Sequence, residues 1–146
     1  MPLDFPDWSY GTAIVPRTAL RPNQIPYFAT IQVIVPARTA NIFYIGKGYT
    51  DELEWIPENK RFSIWYVIFT IDQNSLIDTA VGAEKKAEPG TMFWVAARHG
   101  YGHAEYPAGI YFEYDPDTRP VYYIANYSYR SVVMDLTVFG IEEVIV

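Results

Sequence analysis

RFSIWYVIFTI, residues 61–71, decides the fold. From Ile64 to Ile71 every residue is β-branched or aromatic, the types that fit a pleated, half-buried surface. The run is apolar on both faces and far shorter than the ~20 residues of a membrane span. It predicts a strand covered on both sides, at the centre of the core.

The neighbouring sequence repeats the strand signature. FATIQVIVP (28–36) alternates until Pro36 stops it, and ANIFYIGKGY (40–49) follows with Gly46-Lys47-Gly48 as a turn. SLIDTAV (75–81) is a further strand candidate, GAEKKAEPGT (82–91) a turn-rich loop, and TMFWVAAR (91–98) runs into the histidine stretch. GIYFEY (109–114) is closed by a turn at Asp115-Pro116-Asp117-Thr118, and PVYYIANYSYRSVVMDLTVFGIEEVIV (120–146) supplies two or three more strands. Only DELEWIPENK (51–60) reads as helical or irregular. About eight strands with regular turn signals predict an all-β fold, an antiparallel sandwich or jelly-roll-like barrel.

Residues 1–26 are expected to form an extended, proline-rich N-terminal arm and residues 27–146 the β-sandwich body. Six of the eleven prolines fall within the first 38 residues, and each removes a ladder donor. That segment carries a net charge of +1, which leaves −7 for the remainder of a chain of net charge −6. Its apolar residues, among them Phe5, Trp8 and Tyr10, are too many for a solvated tail, so the arm is expected to lie on its own body or on a neighbour.

Composition excludes several chemistries. The absence of cysteine removes disulfides and thiolate metal ligands. The acidic balance without a basic stretch argues against nucleic acid as a partner, and no run of the sequence suits a membrane span. The N-terminus MPLDFPDW is neither basic nor followed by an apolar signal core, so assembly in the cytoplasm of a host is expected. The lone GKG lacks the spacing of a phosphate loop, and no serine sits in a nucleophile elbow.

RHGYGHAE (98–105) holds both histidines. His99, His103 and Glu105 are the right types for a metal site and, on a regular strand, would point the same way. Two glycines and a nearby proline make the stretch better read as a polar loop, with no cofactor and no catalytic residue assigned. Glu105 with Glu113, or Glu113 with Asp135, could form a glycosidic carboxylate pair only if the two stood ~5 to 10 Å apart across a cleft. Tyr122 is expected on one face of its strand, one of the two faces being core and the other a Tyr-lined surface. Tyr123, Tyr127 and Tyr129 are expected on the opposite face, as a subunit contact or, alternatively, a sugar-stacking surface with Asn126 its only polar neighbour.

In size, strand content and arm the chain resembles the small decoration proteins that stud the capsids of tailed bacteriophages. The likeness is one of general character and brings no site residue with it. It implies a non-enzymatic structural protein on the virion surface, a homo-oligomer and in particular a trimer, that cements the major capsid protein or another assembly protein. The interface candidates are then Phe5, Trp8, Tyr10, Arg17, Arg21, Tyr123, Tyr127 and Tyr129. The alternatives are a carbohydrate- or receptor-binding β-sandwich module and a small metal-dependent cupin-like enzyme.

Overall fold

A computed structural model of the chain describes residues 20–44, 55–106 and 112–145. Among them every regular element is a strand: β1 (Gln24–Val35), β2 (Ala40–Phe43), β3 (Lys60–Ile71), β4 (Leu76–Lys85), β5 (Met92–Tyr101), β6 (His103–Tyr106), β7 (Phe112–Tyr114), β8 (Thr118–Asn126) and β9 (Val132–Val144). They form two antiparallel sheets packed as a sandwich. The first has the order β1-β9-β3-β6, with β7 also on β3; the second has the order β2-β8-β4-β5. No helix is long and apolar enough to cross a membrane among these residues.

The expected centre of the core is there. β3 lies between β9 on one side and β6 and β7 on the other, and Ile64, Val67, Phe69 and Ile71 point into the sandwich. A bulge between Ile64 and Tyr66 shifts its alternation by one residue. Its outer face is less fully covered than expected: Tyr66 is buried beside Phe139, while Thr70 is exposed. From the second sheet Ile77, Val81, Tyr122 and Ile124 close the core, and Thr79 Oγ1 meets Tyr106 Oη across it at 3.0 Å.

Several expectations are corrected. The expected loop over 82–91 is shorter, because β4 continues to Lys85 and leaves a tight turn before β5. The described part of DELEWIPENK is irregular, with a turn at Glu58-Asn59 and no helix. β1 begins at Gln24, so the last three residues assigned to the arm pair with β9, Gln24 opposite Glu143. Gly46-Lys47-Gly48 and residues 1–19 lie outside the described residues.

Asn126 shows how a connection between sheets is fixed. Buried at the end of β8, its Nδ2 donates to the carbonyls of Val35, Pro36 and Arg130 at 2.9–3.2 Å, and its Oδ1 accepts from Ser128 N. One side chain thereby satisfies the carbonyls where β1 leaves the first sheet for β2 in the second. It is consumed in the interior and presents nothing to a ligand.

Candidate functional site

The largest departure from expectation is at RHGYGHAE. It is two strands, not a loop: Arg98 to Tyr101 end β5 in the second sheet, and His103 to Tyr106 are β6 in the first. Gly102, at φ +78°, makes the crossing, a conformation that only glycine adopts freely. Because the chain changes sheets between them, the histidines part company. His99 pairs opposite Asp78 on the outer face of the second sheet. His103 pairs opposite Thr70, and Glu105 opposite Ile68, on the outer face of the first. The core of the sandwich, roughly 10 Å thick, lies between the two faces. His99, His103 and Glu105 therefore do not converge on an ion, and no group of three or more His, Cys, Asp or Glu side chains that could hold a metal occurs among the described residues.

The carboxylate pairs fare similarly. Glu105 and Glu113 sit opposite Ile68 and Ser63 of β3, a separation of about 15 Å along the strand. Asp135 is opposite Thr70, farther still from Glu113, and is hydrogen-bonded to Gln32 at 2.8 Å. Neither pair has the spacing of a glycosidic acid and base. Glu105 instead bonds Tyr66, whose phenol is pushed up to about 12 by burial first and by Glu105 second.

The outer face of the second sheet gathers the residues that remain. Successive rows across β8, β4 and β5 read Ala125-Asp78-His99, Tyr123-Ala80-Ala97 and Val121-Gly82-Trp94. Trp94 reaches this face by a specific device. A bulge pairs Val81 with Ala96 and Gly82 with Trp94, leaving Val95 as the extra residue. Without it Trp94 would share the inward face of Ala96, which packs on the core. Gly82 completes the arrangement: a Cβ there would stand 2.9 Å from Trp94 Cε3 and 2.5 Å from the carbonyl of Phe93. The indole thus lies over β4 and meets Tyr123 edge-on, with 5.9 Å between ring centroids.

Beyond the Ala80 and Ala97 floor stands a polar group. Tyr127 Oη donates to Asp78 Oδ2 at 2.6 Å, and His99 Nδ1 lies 3.9 Å from Asp78 Oδ1. That bond to the carboxylate, and its charge, push the Tyr127 phenol up. Asp78, Ala80, Ala97, His99 and Tyr123 line a shallow depression of about 310 Å³.

Of the interface candidates, Tyr123 and Tyr127 come together here. Tyr129 does not join them; it lies in the β8–β9 turn under the Arg38 guanidinium, 4.8 Å from its ring centroid. Tyr122, on the opposite face from Tyr123, is in the core. Arg21 lies along its own body, 3.8 Å from Glu143. Phe5, Trp8, Tyr10 and Arg17 lie outside the described residues. Sequence reasoning missed Asp78 and Trp94. Asp78 is 45 residues before Tyr123 in an ordinary strand, and a bulge decides where Trp94 points.

β5 has a second property. It is an edge strand whose only ladder partner among the described residues is β4. Phe93, Trp94, Val95 and Tyr101 are 37%, 44%, 59% and 65% exposed. At its start the strand is anchored by a buried ion pair. Glu84 Oε1 takes Arg119 Nε and Nη2 at 2.9 and 2.8 Å, Glu84 Oε2 takes Gly90 N at 2.6 Å, and Tyr44 and Trp55 flank the guanidinium at 4.3 and 4.0 Å from their ring centroids. Burial raises the Glu84 carboxyl, but the bonds from Gly90 and Arg119 and the charge of Arg119 outweigh it and hold the group below the ordinary range.

No family model matches the chain, and no curated protein matches it. Solved structures that resemble it include phage and viral capsid proteins. The Yersinia pseudotuberculosis-derived mitogen is 9% identical, over 78% of this chain and 86% of its own, with a TM-score of 0.48. The acid-stable capsid structure of Helicobacter pylori bacteriophage KHP30 matches at 14% identity over 82% and 95%, TM-score 0.44. The decameric BFDV capsid protein matches at 10% over 82% and 97%, TM-score 0.39. At such identities these likenesses bring neither a function nor a residue role to this chain.

Proposed function

We propose that this protein is a structural assembly subunit that associates with copies of itself, as a trimer that decorates and cements a virion shell by contact with the major capsid protein. The observation that carries this is β5. Ten residues of edge strand, with four large apolar side chains exposed, are an open template for another chain. Monomeric proteins blunt such edges with short strands, lysine, proline or bulges; between Met92 and Tyr101 there is no lysine or proline, and the single bulge, at Val95, leaves regular strand on both sides of it. In a chain of net charge −6 the same strip has no carboxylate, so copies meet there without the repulsion that the remaining surface imposes.

Sheet continuation across β5 pairs its free backbone groups and removes apolar area from water at roughly 25 cal/mol per Å², before the cost of ordering. Residues 1–19, the part of the expected arm ahead of those that lie on the body, are proposed as a second tether, passed to a neighbouring subunit or to the shell, which would raise avidity through effective concentration. Such a subunit performs no catalytic step and requires no cofactor.

Light scattering on the full chain and on a deletion of residues 2–19, which spares all of β1, tests the assignment. The expected mass is roughly 50 kDa, three times the 16.8 kDa chain, with weaker association after the deletion. A full chain that stays at 16.8 kDa across the concentration range would overturn it.

A further inference from the structure

We propose that the outer face of the second sheet binds a neutral, extended oligosaccharide, with Trp94 as the stacking platform and Asp78 as the hydroxyl-binding group. Edge pairing engages the backbone rim of β5, whereas this ligand lies on the outer face of the sheet beside it, and Trp94 borders both.

Three features fit a sugar. First, the Val95 bulge and Gly82 act together to lay an indole on a face where alternation alone would not put it. A tryptophan that is 44% exposed, with one side against the backbone of β4, offers its other side to solvent. The apolar face of a pyranose stacks on such a surface as other rings do. Second, Ala80 and Ala97 leave the middle of the strip low over β4 and β5, with the Tyr123 ring as a wall on the β8 side against which a sugar ring can rest. Third, the far end holds Asp78 with Tyr127 and His99, carboxylate, phenol and imidazole, able between them to accept from and donate to vicinal hydroxyls.

The shape selects the ligand. From Gly82 and Trp94 to Asp78 and His99 is about 13 Å along β4, longer than one pyranose ring, and the shallow depression occupies the Asp78 and His99 end of that strip, with Trp94 beyond it. A flat β-1,4-linked chain follows such a strip, and a coiled α-linked one does not. Asp78 and the net charge of −6 disfavour acidic polysaccharides.

Titration calorimetry on the full chain, with cellotetraose, N-acetylchitotetraose and maltotetraose as probes, decides the matter. Saturable binding of one or both β-linked probes, but not of maltotetraose, is expected. Trp94→Ala and Asp78→Asn should each weaken it at least tenfold, about 1.4 kcal/mol, whereas Tyr129→Ala, in the β8–β9 turn, leaves it unchanged. Asp78→Asn keeps the shape of the side chain and so guards against a folding defect in Trp94→Ala. Light scattering of the same samples separates lost binding from lost assembly. Failure of both β-linked probes to saturate at millimolar concentration, or binding indifferent to both substitutions, would overturn the proposal.

Discussion

β3 and β5 are written in similar letters and live in opposite surroundings. RFSIWYVIFTI and MFWVAARHGY both mix β-branched and aromatic residues, yet the first is flanked by strands on both sides and sends Val67, Phe69 and Ile71 into the core, while most of the second faces water. The difference is position in the sheet. A central strand with an inward face converts apolar composition into stability; an edge strand with the same composition converts it into a surface that other molecules can cover.

The sharpest way to break this contrast is a pair of truncations. Phe69→Ala, in the core, should cost about 3–5 kcal/mol of unfolding free energy. Phe93→Ala on β5, measured at a concentration where the chain is dissociated, should cost under about 1 kcal/mol. Equal losses in denaturant unfolding would erase the distinction.

Next in size is the anchor that presents β5. Glu84→Ala strands Arg119 between two rings without its partner and should cost about 3 kcal/mol. Because the Glu84 carboxyl is held below its ordinary range, its contribution is complete above the unfolded carboxylate pKa and is lost as pH falls through the lower folded value. Stability measured from neutral pH into the acid range should therefore decline, and Glu84→Gln should flatten that decline. A variant with the same acid slope as the parent would remove Glu84 from the account.

Two core tyrosines sharpen the picture of the interior that β3 helps to close. Tyr106 Oη is bonded to Thr79 Oγ1, whereas Tyr122 Oη is buried with no hydrogen-bond partner among the described residues. Tyr106→Phe should lose about 1 kcal/mol and Tyr122→Phe should gain up to about 1 kcal/mol, since removing an unsatisfied hydroxyl relieves a desolvation cost. Thermal unfolding shifts of opposite sign check the pair; shifts of the same sign would contradict the assigned bonding.

How much of this was legible follows from the same residues. β3 was readable because eight consecutive β-branched or aromatic residues leave one interpretation. The all-β class and the two-sided placement of Tyr122 and Tyr123 followed from composition and period. RHGYGHAE was not readable, because His99 and His103 share parity in sequence and only the change of sheet at Gly102 sends them to different faces. Trp94 escaped because a bulge is an insertion in a ladder, visible only when the partner strand is known. Asp78 escaped because the rows that join it to His99 and Tyr127 are long-range pairings.

The most direct test of β5 as the assembly edge is Val95→Lys, which adds a charge at the most exposed apolar position of the Phe93–Val95 run without touching the core. Mass by light scattering should fall from the oligomer to the 16.8 kDa chain, with circular dichroism and unfolding free energy unchanged to within about 0.5 kcal/mol. A Val95→Lys protein that keeps the parent mass would contradict the account.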